Sequence, residues 1–141
     1  MSEVLVIRRL LRVPRERVFA AWLDPASVAQ WMKAGKAASA TAELDPRVGG
    51  KFRIVMQHAG RDVEHTGEYR VIEPPSLLSF TWISDHTGNR PTLVTVELQE
   101  RGGGTELTLT HRDLPDHEVD NHRRGWTGIV AELDRTLSAD A

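Results

Sequence analysis

The last third of the chain constrains the fold most. A strand, Thr105-Glu106-Leu107-Thr108-Leu109-Thr110-His111, turned by Gly102-Gly103-Gly104, runs into one long amphipathic helix that Leu114-Pro115-Asp116 introduces. With Val119 as reference and about 100° per residue, His122, Arg123, Trp126, Ile129, Val130, Leu133 and Leu137 fall within about 80° of one direction. A helix of about 20 residues is about 30 Å long, enough to cross a small sheet. Such a stripe has to be buried, and everything upstream reads as strands able to receive it. A sheet bent around a helix leaves room for a cavity between the two, and function is expected there.

The 141 residues are enough for one domain with a real core, and the chain reads as a single domain over residues 1–141. The formal charge of −2 comes from mixed signs without like-charge runs, which argues against nucleic acid or an anionic membrane as partner. No apolar run is long enough to span a bilayer, and Met1-Ser2-Glu3-Val4 lacks the basic-then-apolar pattern of a signal peptide. The absence of cysteine excludes disulfides, thiol nucleophiles and thiolate metal sites. A cytoplasmic location fits these features best.

Residues 4–13 read as a strand ended by Val13-Pro14. Arg15 to Trp22, with Val18, Phe19 and Trp22 at helical spacing, forms one short helix. Asp24-Pro25 then opens a second, with Asp24 as N-cap and Pro25 at the first helical position. These two helices read as a plug between the first strand and the rest of the sheet. From about Ser39 the period changes to two. Strands carrying Ala40/Ala42/Leu44, Phe52/Ile54/Met56, Thr66 to Glu73, Leu78/Phe80/Trp82 and Val94/Val96/Leu98 follow in hairpin succession. Their turns are at Asp45–Gly50, His58–Asp62, Pro74-Pro75, Asp85–Asn89 and Gly102–Gly104, where proline removes ladder donors and glycine admits positive φ. Consecutive hairpins imply an antiparallel meander.

This order, with several local motifs, resembles the START-like (helix-grip, SRPBCC) superfamily and, within it, the family named for homology to the activator of Hsp90 ATPase. The matching residues are Val13 to Trp22 with Asp24-Pro25, Trp31, Gly49-Gly50-Lys51-Phe52, Gly67-Glu68-Tyr69 leading to Glu73-Pro74-Pro75, Phe80-Thr81-Trp82, Gly103 to Leu107, and Gly125-Trp126. They cover nearly the whole chain, but most are turn formers or core aromatics, which specify a fold rather than a reaction. The resemblance implies a cavity between the curved sheet and the C-terminal helix, which in relatives holds lipids, sterols, plant hormones or polyketides. The co-chaperone that activates Hsp90 looks like this domain joined to a separate N-terminal domain, for which this chain offers no room, so chaperone activation is not implied. The expected fold is α+β: a seven-stranded antiparallel curved sheet wrapped around a long C-terminal helix, with two short helices after the first strand.

Apolar side chains on the inner faces make up most of the expected ligand-binding wall: Phe52, Ile54, Met56, Phe80, Trp82, Val94, Val96, Leu109, Trp126 and Ile129. A closed core would use the same residues, so the polar groups sharing that face decide between the two. Three do so by pattern. His111 continues the Leu107, Leu109 alternation, His122 lies on the helix stripe, and Tyr69 shares a face with Gly67 and Val71. A lone inward histidine is more often a hydrogen-bonded structural residue, but two that converge could orient a ligand or move a proton. Glu68 alternates outward, to a solvent or cross-strand role. Arg8, Arg9 and Arg12 read as a solvated face of the first strand.

Metal binding has little support. Glu118 and His122 are an i, i+4 pair, but His117 and His122 are about 140° apart around the helix, and the helix dipole accounts for an acidic first turn. No Gly-x-Ser-x-Gly elbow and no phosphate loop occur. Gly125, costing about 1 kcal/mol against alanine inside a helix, implies either close helix–sheet approach or room for a ligand. The leading expectation is a binding protein for a small lipophilic molecule, monomeric or homodimeric, with no cofactor and no metal. A cyclase or dehydratase on a polyketide-like substrate, and a protein-interaction module, are the alternatives.

Overall fold

Alternation sets the first strand. In β1 (Leu5–Leu11) the side chains of Leu5, Ile7 and Leu11 are buried, as expected of a strand with one face on a core. The computed structural model describes residues 4–33, 37–58 and 60–139. Arg8, Arg9 and Arg12 are all exposed, as expected, but Arg9 leaves from the other face of the strand. It holds the inward register between Ile7 and Leu11, and its Nε donates to Asp134 of the C-terminal helix at 2.9 Å. The apolar stem of arginine lets it leave the sheet along the helix while its head stays partly wet.

Pro14 caps α1 (Arg15–Trp22), which buries Val18, Phe19, Ala21 and Trp22. Asp24 then accepts from the Ala26 amide at 3.2 Å, and Pro25 stands at the first position of α2 (Pro25–Trp31), as the Asp-Pro pair implies. Trp31 is fully buried and its indole N–H is satisfied by Ser27 Oγ at 3.1 Å. The strands β2 (Ala37–Leu44), β3 (Lys51–His58), β4 (Arg61–Glu73), β5 (Leu77–Trp82), β6 (Thr92–Arg101) and β7 (Gly104–Arg112) follow. They form one seven-stranded antiparallel sheet in the order β1-β7-β6-β5-β4-β3-β2. The meander is as expected from the hairpins, but β1 crosses to the far edge beside β7. The two short helices therefore link opposite edges of the sheet, α2 packing on β2 and α1 reaching β6 and β7.

β4 is where the sheet bends, and it starts five residues earlier than the expected Thr66. Residues Arg61–Glu68 pair with β3, residues Tyr69–Glu73 pair with β5, and a single bridge joins Thr66 to Ile83 between them. Gly67 stands at the bend, where an added Cβ would overlap the Thr81 carbonyl oxygen and the Phe52 ring, so only glycine permits the approach. The register shifts between Tyr69 and Val71. This bulge breaks the face expected to run Gly67, Tyr69, Val71: Tyr69 is buried, while Val71 is only half-buried.

The C-terminal helix begins with one 3-10 turn, Asp116–Glu118, and continues as α3 (Val119–Ala139). Its buried side chains are Val119, Trp126, Ile129, Val130, Leu133 and Leu137. Arg123, at the edge of the expected stripe, is exposed. Each buried aliphatic side chain contributes about 1.5–3 kcal/mol, so the stripe is the main adhesive holding α3 to the sheet. An aromatic cluster ties the layers together: Trp126 of α3 lies 4.9 Å from Trp82 of β5 and 6.5 Å from Trp22 of α1, between ring centroids. No helix among the described residues is long and apolar enough to cross a membrane.

Candidate functional site

α3 stands off the sheet at one end, and the gap is a cavity of about 470 Å³. Its apolar lining is Met56 from β3, Val63 from β4, Trp82 from β5, and Trp126 and Ile129 from α3. Gly125 also lines it, so the missing side chain in mid-helix makes room in the cavity. Polar lining comes from Arg61 and His65 on β4, His86 in the 3-10 turn Asp85–Thr87, and Asn121, His122 and Arg124 on α3.

His111 lies behind this cavity and is committed to the fold. It is fully buried, and both ring nitrogens are engaged. Trp126 Nε1–H can only donate, and at 3.0 Å it does so to His111 Nδ1, so that nitrogen carries no proton. The ring is therefore the neutral Nε2–H tautomer. Nε2–H donates to Thr92 Oγ1 at 2.7 Å, and the Thr92 hydroxyl donates in turn to the Trp82 carbonyl at 2.6 Å. One chain of donors thus joins α3, β7, β6 and β5. Burial, reinforced by the nearby His122, pushes the His111 pKa down to about 3, as a ring without room for a second proton requires.

His122, expected on the same face, is placed differently. Its Nδ1 lies 3.0 Å from the Glu118 carbonyl, an acceptor, so Nδ1 carries the proton and Nε2 is left as an acceptor at the cavity. Glu118 Oε1 is 3.4 Å from the same Nδ1 and 3.7 Å from His86 Nδ1. Burial still lowers the His122 pKa against the pull of Glu118. The His111 and His122 rings are edge-to-face with centroids 5.3 Å apart, so the two histidines do converge, but only one is free.

The second free histidine is His65, which the sequence reading passed over. Its ring lies over Trp82, centroids 4.7 Å apart and planes 31° from parallel, and its Nδ1 is buried without a partner. Burial first, then the charges of His122 and His86, lower its pKa to about 4. A signal for it exists: carried back from Tyr69 and Gly67, the β4 alternation puts His65, Val63 and Arg61 on the inner face. The expected strand start at Thr66 hid it.

Of the expected binding residues, Met56, Trp82, His122, Trp126 and Ile129 line the cavity. Phe52, Ile54, Tyr69, Phe80, Val94, Val96, Leu109 and His111 lie in the packed interior, each 5% exposed or less. Tyr69 in particular packs against Phe52 at 5.5 Å and Phe80 at 6.4 Å. Burial, with Asp45 nearby, raises its phenol pKa. Among the described residues no group of three or more histidine, aspartate or glutamate side chains is poised to hold a metal ion.

Comparison with known proteins adds a family and a fold. The sequence profile described as Activator of Hsp90 ATPase homolog 1-like protein matches residues 12–138. A Rhodobacter sphaeroides protein of known structure is 26% identical, with a TM-score of 0.84 over 99% of this chain and 96% of that one. An AHSA1-like protein from Aeromonas hydrophila is 26% identical, with a TM-score of 0.81 over 98% of this chain and 94% of that one. A Chromobacterium violaceum protein, 24% identical with a TM-score of 0.84 over 95% and 96% of the two chains, supports the fold alone. A search of the curated proteins finds no significant match.

Proposed function

The chain belongs to the Activator of Hsp90 ATPase homolog 1-like family, and from that premise we propose that it binds a small lipophilic molecule in the cavity between α3 and strands β3 to β5. The observation that carries this reading is the cavity of about 470 Å³ between α3 and the sheet. Binding sites for small molecules have about 300–1,000 Å³, apolar walls and a few placed polar groups. Here the walls are Met56, Val63, Trp82, Trp126 and Ile129, and the placed groups are His65 and His122. Neutral His122 offers Nε2 as an acceptor for a ligand hydroxyl or amine. His65 lines the cavity with a ring stacked on Trp82, its Nδ1 being buried on the protein side. The cyclase or dehydratase alternative loses support because His111, one of its three candidate groups, has both nitrogens filled within the fold.

Fluorescence titration with N-phenyl-1-naphthylamine, a neutral lipophilic probe, tests the proposal. Saturable one-to-one binding is expected in the wild type and is expected to be lost in Gly125→Leu, which fills the cavity with a good helix former. His122→Ala should weaken binding about five- to tenfold, the loss of one hydrogen bond, with the thermal transition retained. Absence of saturable binding, or binding indifferent to Gly125→Leu, would refute the proposal.

A further inference from the structure

The chain carries a formal charge of −2, yet the mouth of the cavity has the opposite sign. Its charged lining residues are Arg61, from the inner face of β4, and Arg124, from α3 on the opposite wall, and no carboxylate lines the cavity among the described residues. The arginine ion pairs of the described residues involve Arg9, Arg47, Arg53, Arg70, Arg101 and Arg135 instead. The neighbouring acid, Glu118, sits behind His122 and His86 and is turned to them. Asn121, also in the lining, can donate a hydrogen bond as well. The apolar walls lie deeper, around the Trp82–Trp126 pair.

Arg61 continues the inward alternation of Val63 and His65, so strand register aims it at the cavity rim while Asp62 and Glu64 stand exposed on the other face. The guanidinium fork matches carboxylate, sulfonate and phosphate oxygens, and two such forks flanking one opening make a site for an anionic group. From this we infer that the ligand is an amphipathic organic anion, its planar or aliphatic body seated on Trp82 and Trp126 and its acidic group held between Arg61 and Arg124. The inference rests on the proposed binding function and adds the charge class of the ligand to it.

Two probes sharing one ring system separate the two ideas: 8-anilino-1-naphthalenesulfonate carries the anionic group, and N-phenyl-1-naphthylamine lacks it. At low salt the wild type should bind the sulfonate about tenfold more tightly, and the preference should shrink as salt screens the rim. Arg61→Gln/Arg124→Gln should abolish the preference, with the thermal transition retained. Equal affinities in the wild type, or a preference that survives in the double variant or in Gly125→Leu, would overturn the anion inference while the neutral probe still reports the cavity. Failure of the neutral probe to bind would instead remove the binding function on which the inference rests.

Discussion

Lowering the pH should weaken this fold well before its carboxylates titrate. His65 and His111 are held neutral by burial, with pKa values lowered from 6.5 to about 4 and about 3. The unfolded chain takes up a proton at each of these positions near pH 6.5, while the folded chain does not, so stability falls as pH drops through the window from 6.5 towards 3–4. At 1.36 kcal/mol per pH unit, each ring removes about 2 kcal/mol between pH 7 and pH 5, or about 4 kcal/mol together. His122, lowered in the same direction, adds to the loss. Against an ordinary domain stability of about 5–15 kcal/mol, that is a large fraction. Urea unfolding at pH 7, 6 and 5 measures it as a falling midpoint at constant m. His65→Phe supplies the internal control: phenylalanine keeps the stacking on Trp82 and removes both the titration and the unpartnered Nδ1. Its stability at pH 7 should equal or exceed that of the wild type, and its loss on going to pH 5 should be smaller by about 2 kcal/mol. An unfolding free energy changing by less than about 1 kcal/mol over this range would refute the assignment of two neutral buried rings.

Two further substitutions probe the scaffold. Thr92→Val should cost about 2 kcal/mol or more, because it leaves His111 Nε2–H without an acceptor and the Trp82 carbonyl without its hydroxyl donor; a thermal midpoint within about 1 °C of wild type would count against the donor chain. Gly67→Ala should lower stability by more than about 3 kcal/mol, since its Cβ meets the Thr81 backbone and the buried Phe52 ring, neither free to move. Soluble expression with an unchanged thermal transition would show that the bend in β4 tolerates a side chain.

Much of the architecture was legible because it rests on local patterns. The helix stripe, the Asp24-Pro25 start of α2 and the hairpin turns are each written within a few neighbouring residues, and together they imply the meander and its covering helix. The start of β4 was not, because Gly60-Arg61-Asp62 looks like turn material, whereas pairing with β3 makes Arg61 the first residue of the strand. That one boundary concealed Arg61, Val63 and His65, three residues on the cavity side. Tyr69 and Val71 were assigned one face because a bulge leaves no mark on period-two alternation until the partner strand is known. The inward direction of His111 could be read from its strand, but its role could not. That role depends on Thr92 and Trp126, which only the tertiary fold brings to its two nitrogens.

The same tertiary contacts divide the labour among the histidines at the cavity end of α3. A buried imidazole with both nitrogens satisfied contributes to the fold, and His111 is of that kind. His122 spends Nδ1 on the turn of backbone that precedes it and keeps Nε2 at the cavity. His65 is stacked on Trp82 with its buried Nδ1 unmatched, a position where an apolar ring would be the more stable choice. A fold optimised for stability alone would place phenylalanine there and a side chain larger than hydrogen at position 125. Both departures border the cavity between α3 and the sheet, and both reduce stability where the proposed ligand would gain contact. Under the proposed function both have one cause: packing at this end of the molecule is completed by the ligand.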